Sequence, residues 1–270
     1  VIAGRDPSII SVLGKIRGPA APCHPKLAAA QLAMKAFGEK LVMEQASLVN
    51  FAALWVASEG QPSLLSIRGP ASRLIASTDL HSLPDEPPKL LRGRPVVLQA
   101  AKASAPLFGE TMSLACYELD GARYLIGLTA SGSAIVSRWN PEWTGEDLAE
   151  SARVERSPLV DSHAEYSAWA VAAAQYIVTL GVLLDSENCP LSLRPIRRSK
   201  HPGERGVYYE PREAAEPTDL EGLSAQVWVV GHLKRQRHGP GRSKTRWIWV
   251  AEYSARRWVS RLAHSVDTEK

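Results

Sequence analysis

Side chains that hold anions or move protons crowd together between His232 and Arg246. His232, Lys234, Arg235, Gln236, Arg237 and His238 stand before a Gly239-Pro240-Gly241 turn, and Arg242, Ser243, Lys244 and Arg246 follow it. Two apolar, aromatic-rich runs, VWVV at 227–230 and WIWV at 247–250, flank them, and Glu252 is the only acid between Gln226 and Trp258. In an extended strand, His232, Lys234 and Gln236 share one face, at steps of roughly 7 Å. The turn then carries Arg242, Ser243, Lys244 and Arg246 back alongside. Glycine-rich turns can expose successive backbone N–H groups that cradle an anion. Arginine adds a planar fork that matches phosphate. The natural partner of such a stretch is a phosphate of RNA, DNA or a nucleotide. The competing reading is that these cations only protect an exposed sheet edge. Trp228, Trp247 and Trp249 lie in the apolar ends of the strands, which places them in the core rather than under stacked bases.

Two kinds of chemistry fit these residues. In the first, Lys234, Gln236, Ser243 and Lys244 contact phosphate, and Arg197 and Arg198 of a second basic cluster at 194–205 join them. In the second, His232 is a general base on a ribose 2′-hydroxyl, while Arg242 and Arg246 stabilise the charge on the attacked phosphorus. That reaction needs no metal and is limited to RNA. The basic stretch offers no set of acidic ligands, so no metal and no cofactor is expected. The chain also lacks a GxxxxGK[ST] loop, a GxGxxG after a strand, HExxH and GxSxG.

The run GHLKRQRHGPGRSKTRWIWV resembles the C-terminal hairpin of an uncharacterised group of bacterial proteins carried on plasmids, prophages and other mobile elements. Their pattern is Gly-His, an aromatic or aliphatic residue, a basic residue, Gln, a Gly-rich turn, Arg-Ser, and Ile-Trp-Ile or Ile-Trp-Val. Gly231, His232, Gln236, Gly239, Gly241, Arg242, Ser243, Ile248 and Trp249 match it. The sheet and helix upstream match only loosely. The resemblance implies that His232, Gln236 and Arg242 form a site. It also implies a mobile-element or defence setting, and it carries no reaction.

Other elements must hold this stretch in place. The 270 residues are 45% hydrophobic and 22% charged, enough to bury a core. The net charge of +4 is compatible with nucleic acid without requiring it. Cys23, Cys116 and Cys189 are too scattered for a disulfide framework or a metal site, which fits a reducing cytoplasm. The sequence reads as having no leader and no apolar run long enough to span a bilayer. From Lys26 to Ser58, Leu27, Met34, Leu41, Leu48 and Trp55 recur every seventh residue. This is a helical stripe that serves either as core or as a homodimer or protein-partner seam, with Gly38 a break point and Gly60 a stop. Before it, only a short ordered piece is expected around 9–16. LLSI and ASRLIAS after it read as a short strand and a short helix. Pro84, Pro87, Pro88 and Pro95 mark a connector.

From Val96 to Val136 the pattern is antiparallel sheet. The two-residue turn Asp120-Gly121 joins strands at 112–119 and 122–128 in a meander of about four strands. A short helix is expected over 145–152. Ser162 with Glu165 caps a long helix to Asp185 that is apolar nearly all round, with His163 in its first turn. Residues 189–218 read as a charged loop.

The fold expected is α+β: an N-terminal helical segment (1–82), a proline-rich connector (83–95), and a unit over 96–270 or one domain overall. That unit holds a central antiparallel sheet, a buried helix and a C-terminal β-hairpin joined to the sheet. The function expected is a cytoplasmic nucleic-acid-binding protein of a mobile element or defence system, with RNA favoured over DNA and no membrane partner. The alternatives are a metal-independent RNase or toxin, and a non-catalytic structural or partner-binding protein.

Overall fold

A strand that is apolar on both faces needs cover on both sides of its sheet. From Thr111 to Leu119 every residue but Glu118 is buried. The computed structural model describes residues 8–18, 23–80, 83–101, 105–139, 164–197, 199, 201–211 and 224–258. It places this strand, β3, inside a seven-stranded sheet with β1 (Ser63–Ile67), β2 (Val96–Ala100), β4 (Ala122–Thr129), β5 (Ala134–Trp139), β6 (Leu191–Pro195) and β7 (Arg205–Tyr209). The order is β5-β4-β3-β2-β1-β7-β6. From β2 to β5 the strands form the expected antiparallel meander. Asp120 (φ 52°) and Gly121 (φ 71°) both take the positive φ that the two-residue turn demands. The class is α+β, but the sheet is mixed, because β1 runs parallel to both β2 and β7. A parallel pair needs a crossover. Between β1 and β2 that crossover is α5 (Gly69–Ser77) followed by the proline-rich segment.

Alternation along the strands divides the core. Val96, Leu98, Leu114, Cys116 and Leu125 point to one face of the sheet. Val97, Ala115, Tyr117, Ile126 and Leu128 point to the other. The first face is covered by α5 and α6 (Ala164–Asp185). The second is covered by α1 (Ile9–Leu13), α2 (Pro25–Phe37), α3 (Glu39–Glu44) and α4 (Ser47–Ala57). In α6, Ala173, Ile177 and Leu180 are fully buried. Against the expectation from sequence, the window Ala168–Asp185 has the length and hydropathy of a membrane span, yet 61% of it is buried inside the fold. The expected helix over 145–152, Ser162 and His163 lie outside the described residues.

The heptad stripe does not run along one continuous helix. It breaks at Gly38 (φ 86°) and again between α3 and α4. Leu48 is buried, whereas Leu27, Met34 and Leu41 are 52%, 40% and 37% exposed.

The charged segment after Cys189 is not simply loop. Leu191 and Leu193 alternate on β6, and Val207 and Tyr209 on β7, so five residues on each side suffice to pair as the sheet's last hairpin. The C-terminal stretch, by contrast, does not pair with the sheet. β9 (His232–His238) and β10 (Lys244–Val250) form their own two-stranded ribbon, from Lys244↔His238 to Val250↔His232. β8 (Ser224–Val229) and β11 (Tyr253–Trp258) continue it in the same register, after a break at Val230-Gly231 and Ala251-Glu252.

Candidate functional site

The ribbon reaches the body of the protein through one face and one edge. Leu233, Trp247 and Trp249 point inward and extend the core cluster that contains α6, with Trp249 only 6% exposed. The edge of β10 meets the chain just after α6: the Glu187 N–H donates to the Trp247 carbonyl at 3.1 Å, and the Trp249 N–H donates to the Glu187 carbonyl at 2.9 Å. Farther out on the inward face, the Arg235 guanidinium and the Thr245 hydroxyl both donate to the Asp85 carboxylate. The Thr245 hydroxyl holds the Asp85 carboxyl below its usual range, partial burial opposes this, and the positive Arg235 adds to it.

Asp85 itself is fixed from the other side. The proline-rich segment straps across α6, where the Lys89 N–H donates to Asp185 Oδ2 at 2.8 Å. Pro88 lies so close to Gly181 that a Cβ on that glycine would stand 2.6 Å from the proline ring. The strap thus links the helix to the ribbon.

The outward face carries the residues that the sequence singles out. His232, Lys234, Gln236 and His238 lie on it opposite Val250, Ile248, Arg246 and Lys244. His232 is exposed, and its Nδ1 is 2.9 Å from the Val230 carbonyl. A carbonyl only accepts, so Nδ1 carries the proton and the lone pair stands on Nε2. Arg246 is already engaged: Nη1 donates to Glu187 and Nη2 donates to Gln236 Oε1 at 3.2 Å. Arg242 sits in the turn with φ 56°, left-handed backbone that arginine adopts uncommonly. Ser243 closes that turn by donating to the Pro240 carbonyl at 3.0 Å.

Gln236 and Arg246 therefore meet, whereas His232 and Arg242 do not. His232 begins β9 and Arg242 lies beyond its far end, about 20 Å along the strand. The cavity at the ribbon's break is lined by Leu74, Tyr209, Val230, Trp249 and Glu252 among others, and by none of His232, Gln236 and Arg242. The free cations are Lys234, Arg237, Arg242 and Lys244, all exposed and without an ion pair to any described residue.

Arg197 stands apart from the ribbon. It is exposed in the turn between β6 and β7, and the start of β7 follows it. The ribbon's break meets β7 at its other end, beside Tyr209. The length of β7, about 15 Å, thus separates the Arg197 turn from the ribbon's break, and the ribbon's cations begin beyond that break. Arg194 pairs with Glu210 and lies over the Tyr208 ring, which Arg68 approaches as well. Arg198 lies outside the described residues. Among the described residues, no group of three or more His, Cys, Asp or Glu stands close enough to hold a metal ion.

Sequence reasoning missed Asp85 and Glu187, which take Arg235 and Arg246 out of the free set. The acids were visible, Asp85 in Pro-Asp-Glu-Pro-Pro, but nothing local pairs Asp85 with Arg235, 150 positions away, or Glu187 with Arg246, 59 positions away.

No protein-family model matches the chain, and no curated protein matches it. A comparison with solved structures finds AcrVA2 ("Crystal structure of AcrVA2") at a TM-score of 0.43 and 12% identity. The match covers 86% of this chain and 88% of that one. A TM-score at that level falls short of a shared fold.

Proposed function

We propose that the chain binds nucleic acid through the outward face and turn of the β9–β10 ribbon. One observation carries this reading: Lys234 and Lys244 on that face and Arg242 in the turn are exposed and make no ion pair with a described residue, on a ribbon that has no acid from His232 to Val250. Two cations of the same ribbon are paired with Asp85 and Glu187, so the protein neutralises charge where it anchors the ribbon and leaves it bare elsewhere. Like charges this close repel. A polymer with repeated phosphates supplies the missing counter-charge along the whole ribbon. A two-stranded ribbon is also narrow enough for a groove about 12 Å wide. With Trp247 half-buried and Trp249 buried against the core, contact runs through phosphates rather than through stacked bases. The mobile-element or defence setting implied by the ribbon's sequence pattern belongs to the same proposal.

A second reading is favoured by His232. Its Nδ1 is fixed by the Val230 carbonyl, which leaves Nε2 as an acceptor beside Lys234, the arrangement a general base on a 2′-hydroxyl requires. That chemistry selects RNA over DNA. Arg246, tied to Glu187 and Gln236, and Arg242, at the ribbon's tip, are not at its side.

The test is binding of labelled RNA and DNA, single- and double-stranded, at increasing salt and with chelator present. Each phosphate contact releases counterions, at about 0.9 per contact on a DNA duplex. Lys234→Gln with Arg242→Gln and Lys244→Gln lowers the salt slope by about two to three. An unchanged slope removes the ribbon from the interface. The same gels report the second reading: RNA cleavage that His232→Ala lowers by about two to four orders of magnitude.

A further inference from the structure

A second site lies at the opposite end of β7 from the ribbon's break. A cleft of about 860 Å³ opens where the parallel strands β1 and β7 begin, beside the residues that lead into β2. This is within the range of pockets that take small organic ligands, about 300–1,000 Å³. Its lining includes Arg94, His201 and Arg205 and, among the described residues, no carboxylate. Arg94 and Arg205 are exposed, and neither makes an ion pair with a described residue. The rest of the wall is largely apolar, with Leu13, Trp55, Leu64, Leu90 and Leu193. The Trp55 ring is held by Gly60, on which a Cβ would stand 3.0 Å from it.

We infer that this cleft binds a nucleoside phosphate, its phosphate held by Arg94, Arg205 and His201 and its base against the apolar wall. The cations call for an anion, and one with more than one negative charge is served by two guanidinium forks and an imidazole. Inorganic phosphate would leave the leucines and Trp55 facing water. A long acyl carboxylate would fill the wall, but its single charge would leave the second arginine bare. A nucleoside phosphate joins a dianion to a flat body that an indole edge and leucine methyls can cover. This site is separate from the ribbon in residues and in position.

The probes are adenosine and guanosine monophosphate, with inorganic phosphate and decanoate as controls, added to the full chain in thermal unfolding and calorimetric titration. Either nucleotide, well above its dissociation constant, raises the melting temperature by several degrees. Inorganic phosphate and decanoate at equal concentration give less than half that rise. Arg94→Gln with Arg205→Gln loses at least tenfold in nucleotide affinity, and both residues are exposed and make no ion pair with a described residue, so this variant melts like wild type. Leu193→Glu, which sets a carboxylate on the wall, has the same effect on affinity by another route. Lys234→Gln with Lys244→Gln, on the ribbon, leaves nucleotide affinity unchanged. The inference is overturned by no response to either nucleotide, by an equal response to phosphate or decanoate, or by a response that survives the Arg94 and Arg205 substitutions.

Discussion

β3 and β4 meet across Asp120-Gly121 inside the seven-stranded sheet, whereas β9 and β10 meet across residues 239–243 outside it. Both are antiparallel pairs closed by a turn with positive φ: Asp120 and Gly121 in one, Gly239, Gly241 and Arg242 in the other. In the first pair the two faces do the same work, since residues from both enter the core. In the second pair the faces divide. One holds Leu233, Trp247 and Trp249 against the body and Arg235 against Asp85. The other leaves Lys234 and Lys244 in water. A count of basic residues cannot tell an anchoring arginine from a ligand-seeking one. The docking of the strand decides, because a shift of one residue reverses every role.

The sharpest way to break this division is to cut each face of the ribbon in turn. Trp249→Ala removes a nearly buried indole from the junction of β10 and the core, at a cost of about 3–5 kcal/mol. Lys234→Ala, on the adjacent strand and the opposite face, changes stability by less than about 0.5 kcal/mol. Urea unfolding of the two variants measures both. Equal losses would mean that the outward face is structural after all.

The turns give the next largest effect. Gly121→Val forces a β-branched residue to φ 71° between two central strands, and costs about 1–2 kcal/mol in the same urea experiment. Nothing lies within 4 Å of the position a Cβ would take there, so the whole loss comes from the backbone. An unchanged unfolding midpoint would show that the turn tolerates another conformation.

What was legible in the sequence follows the range of the interactions involved. The Asp-Gly turn, the break at Gly38 and the apolar α6 are local signals, and each element stands where its residues place it. The parallel pairing of β1 with β2 and β7 was not legible, because five-residue strands such as SLLSI say nothing of their partners. β6 and β7 were hidden by Arg194 and Arg205, which sit at strand ends and gave the segment the look of a solvated loop. At the ribbon, the alternation of faces gave the outward group His232, Lys234 and Gln236 correctly. It did not reveal that Arg246 belongs to Glu187, since that contact depends on where α6 delivers the chain.

The smallest effect tests whether the strap anchors the ribbon through charge. Asp85 titrates below its ordinary value because the Thr245 hydroxyl and Arg235 favour the carboxylate. A group whose folded pKa is lowered stabilises the fold above its unfolded pKa, about 3.9 for aspartate, and that contribution fades as the pH falls through the folded value. The pair is partly exposed, with side-chain exposures of 37% for Arg235 and 56% for Asp85, so its worth is that of a screened surface bridge, about 0.2–1 kcal/mol. Asp85→Asn therefore lowers stability slightly at pH 7, and the loss fades as the pH falls below the ordinary aspartate range and the wild-type carboxyl takes up its proton. The two curves of stability against pH converge on the acid side, and added salt narrows the gap at neutral pH. A gap that does not narrow on the acid side would assign the strap's hold to the shape of the side chain rather than to its charge. The anchored face would then owe its fixity to the tryptophans alone.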